Sequence, residues 1–189
     1  MSDYVGKRRK MLGTAEIDQG LAEIAQIAQA NNLPVLLVGG VAMHCYGSER
    51  LTSDLDIVSS AGLPPPLVAE GPLSLGGTRT HTPSGVPLDW INRNDVEDFI
   101  RLFDEALQYG TTVPGVPIRV VSAEYLSAMK LIAGRQKDDL DLTALLQLGV
   151  VDVPKATLLI SRLLGAYAGK DFRSRAAQAA WLRTRDEEK

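Results

Sequence analysis

The chain has 189 residues, of which 45% are hydrophobic and 23% are charged, and its formal net charge is -3. This composition is typical of one soluble domain, or of a domain with a small helical appendage, and it excludes disordered and collagen-like chains. A single cysteine and two histidines exclude an internal disulfide and any cysteine-based zinc site, so a metal would have to be bound by carboxylates.

Neither a membrane span nor a secretion signal is predicted. No stretch approaches the roughly 20 consecutive apolar residues that a membrane-spanning helix requires, and no apolar signal-peptide core follows the start of the chain. The sequence therefore predicts a cytoplasmic protein. Residues 150–189 hold 8 Lys and Arg against 5 Asp and Glu, whereas residues 1–149 hold 12 against 18. Such a weakly basic segment is compatible with RNA contact and also with an ordinary solvated helix face.

The first two thirds of the chain alternate between helical and strand patterns. Apolar residues at helical spacing in 15–31 predict an amphipathic helix with Thr14 as its cap. The apolar run 35–38, closed by two glycines, predicts a buried strand and a tight turn. The other elements predicted here are a short helix at 41–47, a strand at 53–58, a Pro- and Gly-rich loop at 61–77, a hairpin with strands at 78–82 and 86–91, a helix at 95–108 and a strand at 118–121.

Everything after Ser122 is helical in pattern. Ser122 is the predicted cap of a helix that runs through Ala133, and further helices are predicted at 138–148, 154–167 and 171–186. The predicted fold class is α/β (α+β), with a small mixed β-sheet core flanked by helices and followed by a C-terminal helical bundle. The predicted domain division is 1–121 and 122–189.

Three aspartates are the strongest candidates for chemistry. Asp54 and Asp56 lie two apart on one predicted strand and so face the same side of the sheet, and Asp89 lies on a later strand. Such a set can hold two divalent cations about 3.5 to 4 Å apart, which suits phosphoryl transfer. One ion would activate the attacking hydroxyl while the other neutralises the leaving pyrophosphate. Alternating aspartates also occur on the solvent side of edge strands, which is the other interpretation.

Gly39-Gly40 follows a predicted buried strand, where backbone N–H groups can approach a phosphate because no Cβ is in the way. An ordinary strand-to-helix turn is the alternative. Taken together, segment 39–56 resembles the signature of the polymerase-β-like nucleotidyltransferase superfamily. Within that superfamily it looks like the branch of abortive-infection toxins and related minimal nucleotidyltransferases. The residues that carry the resemblance are Gly39, Gly40, Ala42, His44, Gly47, Arg50, Thr52, Asp54 and Asp56.

The resemblance has implications for the site and its chemistry. It implies that Gly39 and Gly40 contact a nucleoside triphosphate and that Asp54 and Asp56 bind two Mg²⁺ ions, with Asp89 completing the metal triad. The implied reaction moves a nucleoside monophosphate to a hydroxyl of RNA (a tRNA 3′ end, for example), of a protein or of a small molecule. It further implies a toxin–antitoxin component with a cognate partner. A non-catalytic, antitoxin-like interaction protein of the same fold and a plain metal- or nucleotide-binding module are the alternatives.

A second match lies in segment 130–141, which is similar to the Lys and Lys-Asp-x-x-Asp segments of that branch. Lys130 and Lys137 are seven apart and share a helix face if the helix is continuous, so both are expected to bind the triphosphate. Asp138 is a candidate general base toward the acceptor hydroxyl, or else a helix N-terminal carboxylate paired with Arg135. Arg50 is expected either to touch phosphate or to orient the loop before Asp54.

Overall fold

The computed structural model describes residues 10–74, 76–93 and 95–187. Helices dominate both ends of the chain, and the strands lie between them. The helices are α1 (Thr14–Ala30), α2 (Gly39–Cys45), α3 (Glu97–Tyr109), α4 (Ala123–Ala133), α5 (Gln136–Leu148), α6 (Val153–Leu164) and α7 (Ala166–Glu187). The strands are β1 (Leu36–Val38), β2 (Leu55–Val58), β3 (Gly71–Pro72), β4 (Thr78–His81), β5 (Pro87–Ile91) and β6 (Arg119–Val120).

The strands form one mixed sheet in the order β3-β4-β5-β2-β1-β6. Strand β2 is parallel to β5 and antiparallel to β1, and β1 is parallel to β6. Strands β3, β4 and β5 pair antiparallel to one another in chain order. The predicted fold class, a small mixed sheet followed by a helical region, is confirmed.

The two faces of the sheet have different roles. Leu55 and Ile57 of β2 are fully buried, and a Cβ on Gly20 of α1 would lie only 2.7 Å from Leu55 Cδ1. Helix α1 therefore covers the apolar face. Because side chains alternate along a strand, Asp56 points to the opposite face.

The C-terminal helices pack onto the rest of the chain. Leu126, Leu142 and Phe172, from α4, α5 and α7, belong to the same buried apolar cluster as the strand residues. The hydroxyl of Ser122 accepts a hydrogen bond from the Tyr125 N–H at 3.5 Å, so the predicted cap of α4 is confirmed. The predicted boundary at 121/122 falls between β6 and α4, and the division into two domains stays a prediction.

Several element boundaries differ from prediction. Thr14 is the first residue of α1 and not its cap, because Gly13 occupies that position and its N–H donates to Glu16 Oε2 at 2.8 Å. Strand β3 lies within the stretch predicted as loop. Helix α6 ends at Leu164, because Gly165 has φ +94° and turns the chain. Helix α7 therefore begins at Ala166, earlier than predicted.

None of the helices in the described ranges combines the length and the apolar character that crossing a membrane requires.

Candidate active site

A cavity of about 280 Å³ lies on the Asp56 face of the sheet. Its walls come from the β1–α2 junction, the segment leading into β2, strand β5, and helices α3, α4 and α5. Every site residue predicted from the sequence lines this cavity, namely Gly39, Gly40, Arg50, Asp54, Asp56, Asp89, Lys130, Lys137 and Asp138. The fold thus brings together the two segments that carry the motifs.

The carboxylates of Asp54, Asp56 and Asp89, here called the acidic cluster, line the sheet side of the cavity. Asp56 and Asp89 are direct neighbours in the parallel ladder of β2 and β5, so they share one sheet face. Asp54 lies in a bend just before β2 and not within the strand as predicted. The buried Thr52 stabilises this bend, because its Oγ1 donates to the backbone oxygen of Asp54 at 3.2 Å.

The like charges of the acidic cluster repel one another, as expected for carboxylates brought together without a cation. Burial raises the pKa of Asp56 to about 6, and the negative charges of Asp54 and Asp89 add to the increase. Lys130 and Lys137 oppose it with their positive charges. A bound cation would therefore relieve the repulsion at Asp56.

The acidic cluster is not a preformed metal centre. Among the residues that the structure describes, no three His, Cys, Asp or Glu side chains are placed to enclose a metal ion. Mg²⁺ does not require such a set, because it is commonly held by one or two carboxylates, with waters and substrate phosphates completing its shell. The oxygen donors and the repulsion at Asp56 fit a hard divalent cation that binds together with a polyphosphate.

Gly39 and Gly40 give the acidic cluster room. Gly39 has φ +65°, and a Cβ at this position would lie 1.9 Å from Asp56 Oδ2. A Cβ on Gly40 would lie 2.5 Å from Thr52 Oγ1, and the Gly40 N–H donates to Asp56 Oδ2 at 3.4 Å. A side chain at either position would therefore collide with neighbouring atoms of the protein. Contact of the two glycines with a triphosphate stays a prediction.

The helical side of the cavity carries an ion-pair network, in which Lys130, Asp138 and Asp141 are buried and Arg50 and Arg135 are partly exposed. The carboxylate of Asp141 accepts from Arg50 Nε on Oδ1 and from Lys130 Nζ on Oδ2, both at 2.6 Å. Lys130 Nζ also donates to Asp138 Oδ1 at 3.1 Å, and Arg135 Nε donates to Asp138 Oδ2 at 2.5 Å. The network ties α4 and α5 to the segment that precedes Asp54.

The predicted common helix face of Lys130 and Lys137 is wrong. Helix α4 ends at Ala133, Gly134 has φ +62°, and α5 begins at Gln136. Lys130 is buried in the ion-pair network, whereas Lys137 is exposed in the first turn of α5. Both still line the cavity, so two different helices supply the positive charge that the sequence assigned to one.

The contacts of Asp138 match its alternative interpretation as the partner of Arg135. Burial alone would raise the pKa of this carboxyl, but the hydrogen bonds and charges of Arg135 and Lys130 outweigh burial and hold the pKa below its usual value. A carboxylate stabilised in this way accepts a proton poorly. The general-base role of Asp138 stays a prediction.

No protein-family model matches the sequence, and no curated protein matches it either. Solved structures do match. An antigenic nucleotidyltransferase-like protein from Paracoccidioides brasiliensis aligns with a TM-score of 0.51 and 16% identity, over 89% of this chain and 95% of that one. The antibiotic-resistance factor ANT(2'')-Ia aligns with a TM-score of 0.46 and 14% identity, over 94% of this chain and 100% of that one. The chain has a nucleotidyltransferase-like fold.

At 16% identity the match shows the architecture alone. The nucleotidyltransferase fold that the resemblance of segment 39–56 implies is confirmed, and membership of the superfamily stays a prediction. The narrower likeness to the abortive-infection branch stays a prediction.

Two groups of residues that line the cavity of this nucleotidyltransferase-like fold were not predicted from the sequence. Arg79 of β4 pairs with Asp89 across the β4–β5 ladder, with its Nε 3.8 Å from Asp89 Oδ1. The predicted hairpin, with strands at 78–82 and 86–91, places these two residues opposite each other, so the sequence already indicated this pair. Phe99 and Phe103 of α3 also line the cavity, and their helical spacing predicts only an apolar face.

The raised pKa of Asp56 predicts that the metal-free fold loses stability as pH rises. Well below pH 4 the carboxyl is protonated in both states, so it has no effect; between about pH 4 and 6 the unfolded chain releases the proton first, which favours unfolding. Asp56→Asn should remove this penalty and raise the free energy of unfolding at pH 7.5 by about 1–3 kcal/mol, with a much smaller gain at pH 4. Urea unfolding at both pH values measures it.

The exposed Asp104 of α3 provides the control, since Asp104→Asn should change stability little at either pH. Equal effects of Asp56→Asn at pH 4 and pH 7.5 would contradict the assignment.

Proposed function

We propose that this protein is a metal-dependent nucleotidyltransferase, which moves a nucleoside monophosphate from a nucleoside triphosphate to a hydroxyl acceptor. The observation that carries the proposal is a single cavity in which the acidic cluster lies across from cationic side chains of α4 and α5. A carboxylate set for a divalent cation and a cationic wall for phosphate oxygens are the two requirements of phosphoryl transfer. The nucleotidyltransferase-like fold supports the same conclusion.

In the proposed reaction the acceptor hydroxyl gives up its proton to Asp138, the candidate general base, or to solvent water, and its oxygen forms a bond to the α-phosphorus. The bond from the α-phosphorus to the bridging oxygen of the β-phosphate breaks, and pyrophosphate leaves with the electron pair. When bound, Mg²⁺ would supply activation of the hydroxyl and neutralisation of the pyrophosphate charge. Asp54, Asp56 and Asp89 are the residues that would hold it.

The remaining predicted residues would bind the nucleotide. Lys137 lines the cavity without an ion pair to any described residue, so its ammonium group can serve a phosphate as a point charge. Lys130 and Arg50 form ion pairs with Asp141. In the proposal their positive charges act on the phosphates from these fixed positions. Gly39 and Gly40 border the same space.

The acceptor is proposed by class only. RNA, such as a tRNA 3′ end, a protein side chain and a small molecule all offer a hydroxyl to the same metal site, and the basic excess after residue 150 favours RNA. A toxin–antitoxin role with a cognate partner would follow if the acceptor is an essential RNA or protein.

The test is incubation of the chain with each α-³²P-labelled nucleoside triphosphate and Mg²⁺, with total RNA, lysate protein and aminoglycosides in parallel. Label is expected in one acceptor class, and it should disappear when Mg²⁺ is chelated. Transfer by the parent but not by Asp56→Asn would assign the activity to this site. Absence of label in every arm would favour the non-catalytic interaction protein.

Lys137→Ala should raise the KM for the triphosphate roughly tenfold and leave the acceptor KM nearly unchanged, because a charge-assisted contact to phosphate is removed. If the contact forms mainly in the transition state, kcat falls instead. Steady-state kinetics with both substrates varied measures the split. Lys170→Ala, on the exposed surface of α7, is the matched control. A variant that loses only acceptor affinity would place Lys137 in the acceptor site.

A further inference from the structure

The cavity is lined by carboxylates and by cationic side chains. A divalent cation can bind the carboxylates only if the cationic side chains do not pair with them. Lys130 and Lys137 line the same cavity as the acidic cluster. A flexible lysine in such a cavity is an internal competitor for a divalent cation, because its ammonium group can pair with the same carboxylates.

Lys130 is held by contacts on the helical side of the cavity. Its side chain is 7% exposed, and Nζ donates to Asp141 Oδ2 at 2.6 Å and to Asp138 Oδ1 at 3.1 Å. The shorter of these bonds is to Asp141, whose side chain is 2% exposed. Because both side chains are buried, water does not compete for this ion pair, and Lys130 Nζ is held toward Asp141.

Asp141 also holds a second cation. Its Oδ1 accepts from Arg50 Nε, and Arg50 is further anchored because its Nη1 donates to the Leu51 backbone oxygen at 2.7 Å. Arg50 therefore keeps an anchor if Asp141 is lost, while Lys130 keeps only Asp138, which Arg135 also occupies with two hydrogen bonds. Of the two cations, Lys130 depends more on Asp141.

We propose that Asp141 is a positioning residue that holds Lys130 on the helical side of the cavity and so keeps this ammonium group from competing with a divalent cation for the acidic cluster. The inference rests on the proposed function only in taking the acidic cluster as the cation site. Asp141 itself lies on α5 with both oxygens engaged by Arg50 and Lys130, and it is not a metal ligand in this proposal.

The test measures cation binding and needs no turnover. Mn²⁺ alone is titrated into the metal-free full chain, and unbound Mn²⁺ is followed by its electron paramagnetic resonance signal. Asp141→Asn should weaken Mn²⁺ binding roughly fivefold or more, a typical coupling for groups in one charge network. Asp139→Asn is the matched control, because it makes the same charge change in the same helix but removes a contact to Arg175. The control should bind Mn²⁺ within about twofold of the parent.

A double variant tests the route through Lys130 and covers the case in which Asp141→Asn does not fold. Lys130→Met combined with Asp141→Asn replaces a buried ion pair by neutral groups, a change that folds tolerate better than loss of one partner. The double variant should bind Mn²⁺ within about twofold of Lys130→Met alone. Asp141→Glu, which keeps the charge, should bind more tightly than Asp141→Asn.

Three results overturn the inference. The first is a folded Asp141→Asn variant with parental Mn²⁺ affinity. The second is a double variant that binds about fivefold or more weakly than Lys130→Met, since Asp141 would then act without Lys130. The third is a parent chain that binds no Mn²⁺ even at millimolar concentration, because the acidic cluster then takes no cation in the absence of a triphosphate. The proposed function, in which the cation can bind together with the triphosphate, is tested separately by the labelling experiment.

Discussion

Asp56→Asn is expected to reduce nucleoside monophosphate transfer roughly 100- to 1,000-fold or more, because the transition state loses electrostatic stabilisation at the point where charge develops. Asp56 sits at the centre of the acidic cluster, beside Asp89 in the β2–β5 ladder and within hydrogen-bond distance of the Gly40 N–H. Asparagine keeps the shape of the side chain but removes the charge that a cation requires. The measurement is kcat with labelled triphosphate at saturating Mg²⁺.

The same substitution is expected to stabilise the metal-free fold at neutral pH, so loss of activity through unfolding is excluded by the unfolding curve of the same sample. Asp54→Asn should lose activity as well, whereas Asp104→Asn on the exposed face of α3 should keep it. Unchanged labelling by a well-folded Asp56→Asn variant would remove the acidic cluster from the mechanism.

Gly39→Ala is expected to destabilise the fold by about 1–3 kcal/mol and to lower transfer at the same time. The backbone at this position has φ +65°, which disfavours any residue with a side chain. The added Cβ would meet Asp56 Oδ2 at 1.9 Å, so the carboxylate must move out of the acidic cluster. Urea unfolding and kcat measured on the same preparation test both effects.

Gly62→Ala provides the comparison, because a Cβ at that glycine meets no atom within 4 Å and should leave both quantities nearly unchanged. If Gly39→Ala lowers stability but keeps full kcat, Asp56 tolerates displacement and its placement is less critical than proposed here.

The elements that determine the site were predictable because their signals are local. The apolar run before Gly39, the alternation around Asp56 and the hairpin carrying Asp89 all follow from side-chain period and turn residues. Every residue proposed from the motifs lines one cavity in the folded chain. The pattern did not predict the exact start of β2, which leaves Asp54 in a bend held by Thr52.

The break between α4 and α5 shows where local reasoning fails. A glycine inside a helical pattern is compatible with a continuous helix and with a left-handed C-cap, and only packing decides between them. Here Gly134 adopts the left-handed conformation, so Lys130 is buried in the ion-pair network and Lys137 stays exposed. The partnership of Arg50 with Asp141 was equally unpredictable, because it joins segments far apart in the chain.

The lateral pairing of Asp56 with Asp89 has a consequence for how such a chain can diversify. The two carboxylates are aligned by the β2–β5 ladder, and the chain between these strands forms the proline-rich stretch and strands β3 and β4 at one edge of the sheet. Insertions or deletions in that excursion leave the alignment intact as long as both strands keep their register. Leu73, Ser74 and Gly76 from this excursion border the cavity. The alignment of Asp56 with Asp89 and the shape of the cavity rim can therefore evolve independently, which under the proposed function would let new acceptors be sampled on an unchanged pair of carboxylates.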